Sequence, residues 1–427
     1  MMPDADILIV GAGAAGLAAA IFAGEAAAHT GLRIVLLEGA RKPGAKILVS
    51  GGGRCNVTNE HVSQDDYWGG PRPLIRNVLR AFDEHRTLDW MRSLGVALKL
   101  EASGKYFPVS DSARTVLDAL LRRTREVGVE LRTGVRVAGL QVDEGGFRVT
   151  TSDAHVMLRA RRVIIATGGL SLPKSGSDGA GIAWLQQLGH TIVPTTPALA
   201  PLVLRPGPEP GGRFAEWSGI TCDIRLDLRA GSGRLLASQQ GSAVFTHFGM
   251  SGPAPMNFSR HLARFRLENP GAAHSVTLGH PQFRDEAAAD QYLRDQMAAN
   301  GTTLASRVVS MLYPDRIARV LAPEGLRLCD LTRSQRLRLA SHLAALPIDV
   351  AADRGYAFAE TTAGGVDLRE VDIRTMESRL VRRLHLCGEI LDADGRIGGF
   401  NFQWAWATGY LAGRGAVAGC QADASAA

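Results

Sequence analysis

The sequence predicts a doubly wound α/β fold of Rossmann type, interrupted by a β-barrel-like insert and a small helical domain. Three observations predict it. A short apolar run, Ile7–Val10, leads into Gly11-Ala12-Gly13-Ala14-Ala15-Gly16 and an alanine-rich segment, and a second run, Ile34–Leu37, ends on Glu38. Far downstream, Val163-Ile164-Ile165-Ala166-Thr167-Gly168-Gly169 and Leu384-His385-Leu386-Cys387-Gly388-Glu389 each read as a buried strand running into glycine. Between them the pattern changes twice, first to short strands separated by Gly/Pro turns and then to helical spacing.

The first stretch has the layout of a dinucleotide site. Gly11 permits a tight turn, Gly13 lets the backbone approach a pyrophosphate, and Gly16 lets helix and strand pack closely. The helix start at Ala14 and Ala15 presents N–H groups and a positive dipole end to the phosphates. Glu38, followed by Gly39, is placed to accept hydrogen bonds from a ribose diol. A glycine-rich turn in some other α/β domain is the competing interpretation; strand before, helix after and an acid ending the next strand favour the dinucleotide.

At 427 residues the chain is too long for one ordinary core. The expected division is residues 1–194 with 358–427 as the Rossmann-type domain, 195–282 with 344–357 as an all-β insert, and 283–343 as a helical subdomain. With 45% apolar and 21% charged residues it is neither disordered nor fibrous. The apolar stretch Ile7–Gly24 holds turn glycines and follows Asp4 and Asp6, so neither a signal peptide nor a membrane span is expected. Five scattered cysteines without a CxxC pair fit a reducing cytoplasm and argue against zinc or a disulfide framework. Only five of the 48 basic residues are lysines, and four of them (Lys42, Lys46, Lys105, Lys174) fall in loops expected near the ligand. A compact ammonium is the expected reason at Lys46.

After Glu38 comes Lys46-Ile47-Leu48-Val49-Ser50 and then Gly51-Gly52-Gly53-Arg54-Cys55-Asn56-Val57-Thr58-Asn59. Three consecutive glycines are not expected to hold a helix or strand; they let backbone amides approach a ligand beside Arg54 and Asn56. A flexible linker is the alternative. This block resembles the HI0933-like (YhiN-type) flavoproteins. The resemblance recurs in order at Gly104–Asp111, Ala166–Ser171, Thr246–Pro253, Thr361–Val366 and Gly388–Trp406, and so covers nearly the whole chain. It implies bound FAD, Val137 beside the adenine, and reduction of carbon–carbon double bonds conjugated to carbonyls, with a ribosomal-RNA uridine and steroid enones among the substrates.

The remaining elements follow in order. Leu74–Leu94 and Thr115–Val127 read as helices, the latter capped by Asp111 or Ser112. Val129–Thr133, Val135–Val142, Phe147–Thr151 and Val156–Leu158 read as an antiparallel crossover meander. Thr167, Gly168 and Gly169 end a core strand, where a doubly wound sheet meets its ligand. Ile182–Leu188 is a helix, after which Pro194, Pro197 and Pro201 mark a domain crossing. The insert has strands at Pro201–Leu204, Cys222–Leu228, Arg234–Ser238, Ser242–Thr246 and Ser275–Leu278. The helical subdomain has seven arginines from Arg307 to Arg338 against three acids, which fits either a solvated face or an RNA-facing surface. Gly388, Glu389, Asp394, Gly398, Gly399, Phe400 and Asn401 return to the cofactor, the Gly-Gly pair opening a helix toward the flavin ring.

Two glycine-rich helix starts fit one long ligand, FAD, better than two. No second complete fingerprint follows a strand, so NAD(P)H is expected only as a transient electron donor. Reducing an activated C=C needs a hydride at the β-carbon and a proton at the α-carbon. Cys55 is the expected acid, with Lys46, Tyr106, Lys105 and His247 behind it; a packing thiol is the competing role for Cys55. The leading function is an FAD-dependent reductase acting on a small molecule or RNA. The alternatives are an FAD oxidase or hydroxylase of a small amine or metabolite, and a non-catalytic RNA-binding redox flavoprotein.

Overall fold

A computed structural model describes residues 3–153 and 157–425, in two compact units: residues 1–195 with 360–427, and residues 196–359. Val156, expected to start a strand, lies outside the described residues.

The first unit is built on a sheet whose parallel core runs in the order Leu384–Leu386, Met157–Ile165, Ala5–Val10, Ile34–Glu38 and Glu130–Thr133. The central strands Ala5–Val10, Ile34–Glu38 and Leu384–Leu386, with the end of Met157–Ile165, are buried nearly throughout, as a covered parallel sheet requires, whereas the edge strand Glu130–Thr133 is polar and partly exposed. The expected meander is therefore smaller than the sequence suggested. Glu130–Thr133 joins the parallel core, and only Val137–Asp143 and Gly146–Thr151 are antiparallel, pairing onto the first half of Met157–Ile165. That one strand serves both arrangements. The helix expected over Leu74–Leu94 is two, Arg72–Ala81 and Glu84–Ser93, with the Asp83 side chain capping the second through the Arg86 N–H. Helix Ala113–Glu126 starts at Ser112, whose side chain makes no cap bond; Asp111 instead takes a left-handed φ of 51° and pairs with Lys99.

The last helix, Phe400–Ser425, packs along Ala14–Ala26. Contact is close because Gly409 and Gly413 face that helix: a Cβ on either would lie 2.6 Å from Ala15 O or 2.4 Å from Ala19 O. The C-terminal end thus clamps the helix that follows the first glycine turn.

The second unit holds a seven-stranded antiparallel sheet. Its end strands, Leu346–Ile348 and Val350–Asp353, are separated by one residue, so the sheet curls until its edges meet. Arg234–Ser238 and Ser242–Thr246 are one strand, Leu235–Thr246. A 16-residue helix, Pro253–Glu268, lies against it and was not anticipated, although Pro253 occupies a first-turn position and Phe258, Leu262 and Phe265 follow at helical spacing. Four further helices, Glu286–Asn300, Ala305–Val309, Asp315–Leu321 and Arg333–Ala345, share the same apolar core.

Candidate active site

The first glycine turn is made by packing. Gly11 sits at φ 103°, and a Cβ there would lie 2.5 Å from Ala166 O on the neighbouring strand end. A Cβ on Gly16 would lie 1.8 Å from Gly11 O. Gly13 is different: its Cβ would meet nothing within 4 Å, and it precedes a 13-residue helix with no side-chain cap. Open space in front of uncapped N–H groups suits a diphosphate. Glu38 closes the turn, accepting from Ala12 N at 2.9 Å on one oxygen and Ala40 N at 2.8 Å on the other. Each oxygen keeps a lone pair for a diol. Arg136, which sequence reasoning missed, lies over Gly39, where an added Cβ would be 2.8 Å from its Cδ.

Around the carboxyl ends of the central strands the structure assembles a network. Lys46 Nζ donates to Glu389 Oε2 at 2.7 Å and to Ser171 Oγ at 2.8 Å. Ser171 Oγ donates to Glu389 Oε1 at 2.6 Å, and Thr362 gives the same oxygen its hydroxyl at 2.8 Å and its N–H at 3.1 Å. Thr362 Oγ1 in turn accepts from Leu170 N and Ser171 N. Lys46 and Glu389 are 23% and 18% exposed, and Lys46 keeps one N–H without a protein partner among the described residues. Lys46 and Glu389 were both expected near the cofactor, and the structure brings them together; Ser171 and Thr362 were not singled out. Gly169 is needed here, since its Cβ would lie 2.5 Å from Thr362 Oγ1. Nearby, Thr167 Oγ1 is buried without a partner, Gly168 is left-handed at φ 75°, and Gly388 turns at φ 81° beneath Trp404 Nε1, which donates to its carbonyl at 3.2 Å.

The C-terminal helix start is tied to the glycine-loop strand. Asn59 Nδ2 donates to Gly398 O at 2.9 Å. In the orientation that satisfies both its ends, Asn56 donates to Thr58 O and accepts from Gly399 N, each at 3.0 Å. A Cβ on Gly399 would lie 2.6 Å from Thr58 C. Gln403, not predicted, accepts from Thr58 and Thr87 hydroxyls and donates to Phe82 O. The Asn401 side chain bonds both ways with the Gly395 backbone.

The three glycines hold no regular helix, as expected, while other readings change. The helix beginning at Ala45 stops before the glycines: Ser50 leaves helical geometry, and Gly51, Gly52 and Gly53 are left-handed at φ 55°, 67° and 84°. Cys55, also left-handed, has no exposed surface, and burial pushes its thiol up to about 12. A thiol with no exposed surface packs in the core, which favours the packing role over proton donation. Arg54 does not tune it: the guanidinium stacks 3.9 Å above the Phe107 ring and donates to Glu101 at 2.6 Å. Asn56 turns to the helix start as above and has 8% exposure, while Val137, Asp394 and Phe400 retain 5%, 1% and 0%. At these four positions little side-chain surface is left for a ligand to touch. Cys387 is buried and its thiol raised, as expected of a core residue. Tyr106 is half-buried on a strand paired to Thr58, and Lys105 on the same strand is half-buried. His247 is exposed at a hairpin tip in the second unit.

These features define the class: a mixed α/β, Rossmann-like FAD-dependent oxidoreductase with additional antiparallel sheets. The HI0933-like protein Rossmann domain matches residues 5–415, and the chain belongs to that family. It is 34% identical to the 3-dehydro-bile acid delta(4,6)-reductase of Clostridium scindens over 96% of this chain and 98% of the relative. It is 31% identical to the ribosomal RNA dihydrouridine synthase of Escherichia coli over 97% and 98%, and 27% identical to the Haemophilus influenzae protein of that name over 94% and 96%. No helix among the described residues is long and apolar enough to cross a membrane.

Proposed function

We propose that this protein reduces a carbon–carbon double bond conjugated to a carbonyl, with NAD(P)H as electron source and a ribosomal-RNA uridine as substrate. The names of the relatives support the bond class. Making dihydrouridine from uridine and reducing a 3-keto steroid at its delta-4 position both add two hydrogens across a double bond conjugated to a carbonyl.

The residues fit FAD: Gly13 faces open space at an uncapped helix start, Glu38 is oriented for a ribose, and Thr167 offers a buried hydroxyl without a partner. When bound, FAD supplies the hydride chemistry. Gly11 to Gly16 and Glu38 would hold its diphosphate and ribose, and the Gly398-Gly399 helix start would face its ring. The observation that carries the chemistry is the Lys46 ammonium. Among the groups expected to donate the α-proton, Lys46 combines exposed surface, a fixed position and an N–H to spare. Glu389, Ser171 and Thr362 are positioning residues that aim it. A positioned acid of this kind contributes about 10²–10⁴-fold.

The test is to reduce the purified protein anaerobically with NADH or NADPH and then mix it with a cyclic enone or with air. Reoxidation by the enone, with the saturated product formed, supports the reductase. Fast reoxidation by air with no enone product supports the oxidase instead. For the substrate, one ribosomal-RNA position should be about 2 Da lighter in a deletion strain, a uridine left without the two added hydrogens; an unchanged mass removes RNA and leaves the bond class standing.

A further inference from the structure

The second unit carries an aromatic and cationic cluster that the proposed chemistry does not use. Strands Leu235–Thr246 and Gly249–Ser251 are joined by the two-residue hairpin His247-Phe248, closed by the Thr246–Gly249 pair. The tip is fixed, because Phe248 O accepts from Leu204 N at 3.0 Å. His247 is exposed, and its ring stands edge-on to Phe248 at 5.3 Å. Arg354 brings its guanidinium carbon to 4.5 Å from the centre of Phe248 and 3.5 Å from that of Phe358.

Three facts make this more than a packing contact. Phe358 remains 47% exposed, although it is a large apolar ring held by a guanidinium. Arg354 forms no ion pair among the described residues, so its N–H groups have no anion. The loop is also set in place: Arg354 N donates to Pro201 O at 3.0 Å, Gly355 N to Asp353 Oδ1 at 2.7 Å, and Phe358 N to Gly355 O at 3.1 Å. An open ring face beside an unpaired guanidinium fits a ligand that is both flat and anionic.

We infer that Phe358 and Arg354 bind a nucleotide of single-stranded RNA, the base stacking on Phe358 and a phosphate pairing with Arg354. This rests on the reductase reading with an RNA substrate and names where that substrate is gripped. A steroid acid offers a carboxylate too, but its apolar rings call for an enclosing pocket. A half-exposed ring suits a base, which stacks on one face and leaves its backbone in water. His247, beside Phe248, adds a donor on the same rim.

The probe is a fluorescently labelled ten-nucleotide oligouridylate, its binding to the holoprotein followed by anisotropy across salt concentrations. Phe358→Leu keeps an apolar side chain and removes the ring face; affinity should fall roughly tenfold to a hundredfold. Phe358→Trp should bind at least as tightly as the unaltered protein. Arg354→Gln should weaken binding and reduce the logarithmic salt slope by about 0.7, the loss of one phosphate contact on a single strand. Cyclic-enone turnover should be unchanged in all three variants, which also shows that they fold. If Phe358→Leu and the unaltered protein bind alike, or the unaltered protein does not bind the oligonucleotide, the inference is overturned. It is equally overturned if a steroid acid binds and is lost in Phe358→Leu while oligonucleotide binding is untouched. Should no variant, nor the unaltered protein, reduce any enone, the reductase reading fails, and the anisotropy series still decides the nucleotide site.

Discussion

The two glycine segments flanking the second strand look alike in sequence and differ in physics. In Gly11–Gly16 two of the three glycines are imposed by crowding: a Cβ on Gly16 would lie 1.8 Å from a backbone oxygen, and one on Gly11 would lie 2.5 Å from another. In Gly51–Gly53 the crowding is milder: a Cβ on Gly51 would lie 3.0 Å from the Phe107 ring and 3.1 Å from Asn56 N, one on Gly53 3.8 Å from Leu48 O, and one on Gly52 would meet nothing within 4 Å. Those residues are glycine because the backbone is left-handed at each. The first segment is a joint between strand ends. The second is a coil that turns the chain from the end of the helix begun at Ala45 into the core at Cys55. A glycine demanded by packing tolerates nothing, whereas one demanded by conformation tolerates a strained substitute.

That difference can be broken by substitution. Gly16→Ala should be the most damaging change, costing about 3 kcal/mol or more because backbone cannot yield at both strand ends. Urea unfolding should show it, and an unchanged midpoint would mean the turn is not packed as described. Lys46→Met comes next, in activity: flavin retained, substrate reduction down by about 10²–10⁴-fold. Lys46→Arg should recover little, since a planar fork cannot place single N–H bonds on both Ser171 and Glu389 in the room of an ammonium. Normal turnover in Lys46→Arg would remove Lys46 as the donor.

Gly52→Ala should cost only about 1–2 kcal/mol, the strain of a left-handed alanine, and leave a folded protein. A loss as large as that of Gly16→Ala would erase the distinction between the two segments. Cys55→Ala should have the smallest effect on turnover, within about threefold of normal, because losing a buried thiol touches packing and not proton delivery. The thiol also makes a pH prediction. Burial raises it from 9.0 to about 12, so the folded state holds the proton longer than the unfolded chain does. Its contribution to stability is complete below pH 9.0 and declines as the pH rises towards about 12. Denaturant midpoints should therefore fall less steeply above pH 9.0 in Cys55→Ala than in the unaltered protein.

The joint was legible in the sequence because crowding leaves a fixed spacing: strand, three glycines, helix, acid. The central parallel strands were legible because burial makes Ile7–Val10, Ile34–Leu37 and Val163–Ile165 continuously apolar, whereas the polar edge strand Glu130–Thr133 reads as part of the meander. What escaped depended on partners distant in the chain. Ser171 and Thr362 look ordinary until the fold brings Glu389, 218 residues after Ser171, against their hydroxyls, and Gln403 until it meets Thr58 and Thr87. The burial of Cys55 was not legible either, because a thiol behind glycines and an arginine suggests an accessible group, while its burial is set by residues packed around it from elsewhere. The missed helix Pro253–Glu268 had its proline signal, but the Gly/Pro-rich strands around it suggested a turn.

The most direct test of the account is to identify what the protein carries. Purified protein should be yellow and, on denaturation, release FAD in a ratio of about one per chain, since a single long ligand satisfies both glycine-started helices. Gly13→Val, which fills the space before the first helix without touching any protein atom within 4 Å of the Cβ, should fold normally and come off the column colourless. FMN in place of FAD, or a yellow Gly13→Val protein with full FAD content, would contradict the assignment of that turn to the diphosphate.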